Sequence, residues 1–148
     1  MNPEQLQAYL HEHIPLSAAM AVQVTGVESD SVSLRAPLAP NINHRDTLFG
    51  GSAAAIATLA AWSLLHLRLR AEGLAEAQLV IQRNTMDYLH PVAGDFTAHS
   101  FLNEPERWSA FLKLLSRRGR ARIKVSAELA YADEVAGRLT GEFVALMP

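Results

Sequence analysis

The stretch NINHRDTLFGGSAAAIATLAAWSLL, Asn41 to Leu65, decides the fold. It opens polar, narrows to Gly50-Gly51-Ser52 and continues as an alanine-rich apolar run. Alanine is the strongest helix former, so Gly50 to about Arg70 reads as a helix. The run is apolar around much of its circumference, which marks a helix buried on most sides. Small side chains at 53–55, 57, 60 and 61 let other backbones come close. His66, Arg68 and Arg70 put cations near the C-terminal end, where the helix dipole favours them. No acidic residue lies between Asp46 and Glu72. A prepared helix start therefore stands with no carboxylate, cysteine or lysine close behind it.

Toward the N-terminus, Asn2-Pro3-Glu4-Gln5 reads as a capped helix start, with Pro3 at the first position and Gln5 as capping-box partner. A short helix to about His13 follows. Met20, Val22, Val24 and Gly26 share one parity, and Val32, Leu34 and Ala36 do so beyond a polar turn at 28–31. Period two means half-buried strands. Pro37 and Pro40 end the second, because proline cannot continue a ladder.

Beyond Gly73 the chain is mostly strand. The sequence predicts strands over 78–89 and 94–102. A short helix within 103–116 carries Trp108, Phe111, Leu112 and Leu115 on one face. From Ala121 to Tyr131 apolar and polar residues alternate cleanly, a turn follows at Ala132-Asp133-Glu134, and alternation resumes to the C-terminus. With no βαβα alternation, a doubly wound parallel sheet is disfavoured. The expected architecture is α+β: one domain over 1–148, an antiparallel sheet wrapped around a single long helix.

The bulk properties fit. The 148 residues are 49% hydrophobic and 19% charged, with net charge −2 and no cysteine. That excludes a disulfide framework, thiolate chemistry and thiolate metal sites, and gives no global field for nucleic acid. The six histidines show no metal-ligand spacing. The N-terminus lacks a signal pattern, and the run 53–65 is shorter than the roughly 20 residues a bilayer span needs. A cytoplasmic protein without membrane or nucleic-acid partners is expected.

Strand–strand–loop–FGGS–long helix–strand–YLHPVAGD–strands resembles the hotdog fold of acyl-thioester enzymes. Phe49-Gly50-Gly51 sits where many hotdog thioesterases carry His-Gly-Gly, and DYLHPVAGD resembles the aromatic-x-x-Pro-x-x-x-Gly-Asp hairpin of the same superfamily. More narrowly, APLAPNINHRDTLFGGS resembles the branch named for the C-terminal domain of YiiD, which includes malonyl-ACP decarboxylases of fatty-acid synthesis. The resemblance implies a substrate linked to CoA or acyl carrier protein through pantetheine, no other cofactor, and a dimer or higher homo-oligomer.

The first N–H groups of a helix have no internal partner, and with the dipole they attract negative charge. Gly50 and Gly51 let a thioester carbonyl approach the backbone. Asn43 can add a side-chain N–H, and Thr47 and Ser52 hydroxyls. Alternatively Gly50-Gly51 only turns the chain, Ser52 caps the helix, and Asn43 makes an Asx-turn. Phe49, Trp62 and Tyr88 are the aromatic candidates for the substrate site. In the His-Gly-Gly enzymes an Asp or Glu about two turns into the helix drives hydrolysis; counting from Gly50-Gly51, that position is Thr58. Threonine orients water but does not take its proton at neutral pH. Asp46 in the loop and Asp87 on the next strand are the nearby carboxylates.

Losing CO₂ from a malonyl thioester needs no base, only donors for the enolate and poorly solvating surroundings for the carboxylate. The expectation is therefore malonyl-ACP decarboxylation with Asn43, Gly51 and Thr58 at the reacting centre. Acyl-CoA or acyl-ACP hydrolysis is the alternative, and a non-catalytic acyl-binding protein the third. The basic segment from Lys113 to Lys124 is either a solvated face or, through Arg117, Arg118 and Arg120, a dock for the pantetheine phosphate or an acidic carrier.

Overall fold

A computed structural model describes residues 1–148. Helix α1, Pro3–His13, begins with the expected capping box: Gln5 N donates to Asn2 Oδ1 and Asn2 N to Gln5 Oε1, both at 2.9 Å. A second short helix, α2, Pro15–Ala19, occupies part of the stretch read as leading into a strand. Pro15 pre-sets its first turn, and Ala21 (φ 57) breaks the chain away before β1, Gln23–Val27. Met20 therefore lies outside the strand its parity suggested, although it is buried.

β2 (Ser31–Ala36) pairs antiparallel with β1. The long helix α3 is Gly50–Ala71. Then come β3 (Gln78–Tyr88), β4 (Phe96–Leu102), α4 (Trp108–Arg118), β5 (Arg120–Tyr131) and β6 (Glu134–Leu146). Gly119, left-handed at φ 68, closes α4 by donating its N–H to Leu115 O. Ala132 and Asp133, both at positive φ, form the tight β5–β6 turn, the backbone whose twist suits a two-residue hairpin.

One six-stranded sheet results, in the order β1-β2-β4-β5-β6-β3, antiparallel throughout. α3 lies across its concave face and touches five of the six strands. Ile56, Ala57, Ala60, Ala61, Leu64 and Leu65 are buried against inward residues such as Leu34, Phe96, Val125, Leu129 and Leu139. The expected parity of β5 holds: Ala121, Ile123, Val125, Ala127 and Leu129 are buried, and Arg120, Arg122 and Lys124 exposed. At 22 residues α3 is long and apolar enough to cross a bilayer, longer than the run expected from sequence; 61% of its most apolar window is buried inside the protein. It is the core helix of the sheet.

The two sheet edges differ. α1 covers β1: Val24 N donates to Gln7 Oε1 at 3.0 Å, and His11 Nε2 lies 2.7 Å from Val22 O. β3 has β6 on one side and nothing on the other. A bulge between Ile81 and Arg83 interrupts its pairing with β6. It swaps the inward parity from Leu79 and Ile81 to Met86, which is why this strand reads irregularly in the sequence.

Candidate active site

Three segments build the start of α3. The preceding loop is fixed by Phe49 N donating to Asn41 O and Leu48 N to Val92 O, both at 2.8 Å. The first helical bond runs from Ala53 N to Phe49 O at 3.0 Å, and no side chain caps the helix. The backbone N–H groups of Gly50, Gly51 and Ser52 are thus free. Ser52 does not act as a cap; the N-cap is Phe49, whose extended backbone (φ −63, ψ 132) turns the chain into the helix.

Aromatic rings lie beside both glycines, but only at Gly51 would one crowd a Cβ. A Cβ on Gly51 would lie 2.4 Å from Phe49 Cε2, and one on Gly50 would lie 3.4 Å from Tyr88 Cε1. The Phe49 ring folds back over Gly51, and the Tyr88 hydroxyl donates to Gly50 O at 3.2 Å. Both rings are more than half exposed. They stand beside the first turn of α3.

Asn43 organises the loop. Its amide donates to Thr47 Oγ1 at 2.9 Å and to Leu48 O at 3.3 Å, while its Oδ1 accepts from Arg45 N at 2.8 Å and Thr47 N at 3.1 Å. Both N–H bonds of the amide are engaged, so in this conformation Asn43 and Thr47 hold the loop that delivers Phe49. Asp46, left-handed at φ 61, is exposed at the loop tip. Asp87 is exposed; its neighbour Tyr88 points at the helix start, so strand alternation turns Asp87 to the opposite face.

An apolar groove of about 360 Å³ leads away from Gly51 along α3. Its floor is the helical stripe Gly51, Ala54, Ala55, Thr58, Leu59 and Trp62; Ile14 and Leu16 form one lip, Ile81 and Phe143 the other. Thr58 lines it, with its hydroxyl donating to Ala54 O at 2.8 Å. No acid or histidine lines this groove. A second hollow, of about 300 Å³, lies on the other side of Gly50, under Tyr88, His90 and Leu129. The lips at Ile14, Leu16 and Phe143 were not expected from sequence. The one signal was the apolar Ile14-Pro15-Leu16 where α1 passes into α2, with Leu16 56% exposed.

Behind Trp62 sits His66, 8% exposed, with its Nε2 unpartnered. Burial, and then the positive Arg70, N-terminal amine and His13, lower its pKa from 6.5 to about 4. It is neutral at pH 7 and stacks on Trp62 at 4.7 Å and on Tyr9 at 4.8 Å.

The arginines expected to hold a phosphate stand elsewhere. Arg118, Arg120 and Arg122 share a shallow hollow beside Leu114, and Arg117 is exposed nearby. Arg120 pairs with Leu146, which pairs with Gln78, the end of β3 opposite Tyr88. Ten residues of strand separate the two ends, about 33 Å. Within one protomer these side chains do not join the helix start.

Among known proteins, the family model described as "Putative thioesterase (yiiD_Cterm)" matches residues 3–147. A crystal structure from Chlorobaculum tepidum, of a protein described as of unknown function, shares 27% identity over 99% of this chain and 98% of that one, with a TM-score of 0.91. A "putative thioesterase" from Shewanella oneidensis shares 24% over 99% and 97%, at 0.82. A "probable thioesterase" from Pseudomonas aeruginosa shares 20% over 99% and 96%, at 0.84. The fold is the hotdog fold.

Proposed function

The chain belongs to the YiiD C-terminal thioesterase family, and from that premise we propose that it decarboxylates malonyl thioesters, with acyl carrier protein as the preferred carrier. One observation carries the reading: the groove at the start of α3 offers free N–H donors and apolar walls, and no side chain able to take a proton from water.

In this reaction the thioester oxygen rests on the Gly51 and Ser52 N–H groups. The bond from Cα to the carboxylate breaks, its electron pair moves into the thioester, and the oxygen becomes an enolate oxyanion. CO₂ leaves, and Cα takes a proton from solvent. Charge leaves the carboxylate and grows on the oxygen. Apolar walls disfavour the first state, and fixed donors favour the second. Removing a single such donor costs on the order of 10²-fold or more in turnover.

Hydrolysis of acyl thioesters is the second reading. It is favoured by the family's description and by a groove roomier than a malonyl group requires. Here Thr58, while donating to Ala54 O, would orient the attacking water by accepting its O–H.

The reading includes a dimer. β3 is the uncovered edge and carries the exposed Val80 and Tyr88; bare edges of this kind seek a partner strand. Antiparallel pairing of two β3 strands about a two-fold axis would bring the Gln78 end of one copy beside the Tyr88 end of the other. Each copy's Arg117, Arg118 and Arg120 would then approach the other copy's helix start. The carrier phosphate would be held in trans, which reconciles these arginines with a site about 33 Å away in their own chain.

The test is parallel incubation of the pure protein with malonyl and with saturated acyl thioesters of carrier protein and CoA, following CO₂ and free thiol. CO₂ without thiol supports decarboxylation. Thiol release supports the second reading. Tight binding with neither product leaves an acyl-binding protein.

A further inference from the structure

We propose that Trp62 sets the length of acyl chain this protein accepts, so that the groove also takes thioesters of medium-chain fatty acids. The proposal rests on the reading that a thioester is held at the start of α3. The groove begins at Gly51, the residue that supplies a free N–H, and continues without a polar side chain other than Thr58. A carbonyl on that N–H therefore directs whatever is attached to it along the stripe of Ala54, Ala55 and Thr58.

The far end is closed by the Trp62 indole. Its Nε1 donates to Leu79 O at 3.4 Å, so the ring bridges from the helix to the edge strand. Behind it His66 (4.7 Å, 13° between planes) and Tyr9 (6.2 Å, 15°) stack against it, a three-ring stop joining α3 to α1. A side chain tied to the edge strand and backed by two rings makes a firm end wall. Leu59, the last wall residue before it, lies eight positions past Gly51, about 12 Å along the axis. An extended chain advances about 1.2 Å per bond, so roughly eight to ten carbons fill the groove. Longer chains meet the indole.

The experiment measures calorimetric binding of non-hydrolysable 2-oxoalkyl CoA ketones, which keep the carbonyl held at Gly51, from acetyl length to palmitoyl length, to the wild-type protein and to Trp62→Ala, Trp62→Phe and Trp108→Phe. Melting curves identify any variant that fails to fold. In the wild type, affinity rises about fourfold per methylene to a plateau at about eight to ten carbons. Trp62→Ala moves the plateau to longer chains, Trp62→Phe moves it less, and Trp108→Phe, whose ring lies under Arg68 at the other end of α3, leaves it in place. A plateau that stays put in folded Trp62→Ala overturns the role of Trp62. Affinity independent of chain length, with malonyl turnover intact, overturns the groove as an acyl site and points to filling by the second copy. Loss of all ketone binding together with malonyl turnover would instead sink the underlying reading of the helix start.

Discussion

Replacing Thr58 by Asp gives the two enzymatic readings opposite outcomes. Thr58 lies seven residues past Gly51 on the groove floor, about 10 Å along the axis. Helix side chains lean toward the N-terminus. An Asp carboxylate, unable to donate to Ala54 O as the threonine hydroxyl does, turns into the groove. The substrate's own carboxylate lies two bonds beyond the carbonyl held at Gly51, which leaves roughly 6 Å between the two charges. At an effective dielectric of 20 the repulsion is about 3 kcal/mol, or about 100-fold in affinity, unless one group takes up a proton. For malonyl thioester, Thr58→Asp should therefore raise KM by about 30- to 100-fold and change kcat less, because the charge opposes binding more than bond breaking. Thr58→Asn, neutral and of similar size, should stay within a few-fold of wild type. The assay is steady-state CO₂ release, with a melting curve to measure the cost of placing a carboxylate on a half-buried helix face. If hydrolysis is the true reaction, Thr58→Asp supplies the missing base and thiol release from acyl-CoA rises. Undiminished decarboxylation in a folded Thr58→Asp protein would refute the placement of the malonyl group beside this residue.

Gly51→Ala and Gly51→Pro both add a Cβ that the flexible Phe49 ring must yield to, but only proline removes the N–H. With no Cβ on Gly50 to resist a proline in the first turn, Gly51→Pro should melt near Gly51→Ala and lose a further 10²-fold or so in kcat. His66 binds a proton at about pH 6.5 when unfolded and at about 4 when folded. Stability should therefore fall as pH drops from 6.5 toward 4, by about 3 kcal/mol in all; His66→Phe, which keeps a ring in the stack, should flatten that part of the curve in denaturant titrations. Sedimentation should find a dimer, and a concentration-independent monomer would remove the trans arrangement. Arg118→Glu with Arg120→Glu should weaken the carrier-linked substrate strongly at low salt and little at high salt, because exposed charges are screened over about 10 Å at 0.1 M; equal loss in both points to misfolding.

What the sequence made legible follows from how local each signal is. The alanine-rich run and the strict alternation of β5 are local patterns, and each element formed within two residues of its expected bounds. The parity of β3 was unreadable because the bulge after Ile81 flips it, and a bulge is fixed by pairing with β6. α2 was missed because five residues carry too little periodicity to separate a helical turn from the approach to a strand. The helix start at Gly50-Gly51 was legible from the polar loop and the glycine pair before the alanine-rich run. The engagement of Asn43 was not, because its five side-chain bonds depend on the loop closing through Thr47. The groove lips come from segments as distant as Ile14 and Phe143, which only the folded sheet brings together.

If the free donors at the start of α3 and its apolar, base-free groove carry the reaction, CO₂ is expelled and the thioester stays whole. The most direct measurement is the mass of the carrier after reaction of malonyl carrier protein with the enzyme in deuterium oxide. Decarboxylation yields acetyl carrier, the thioester intact and one deuterium on the acetyl methyl group from protonation of the enolate. Free carrier thiol with malonate in solution would contradict it.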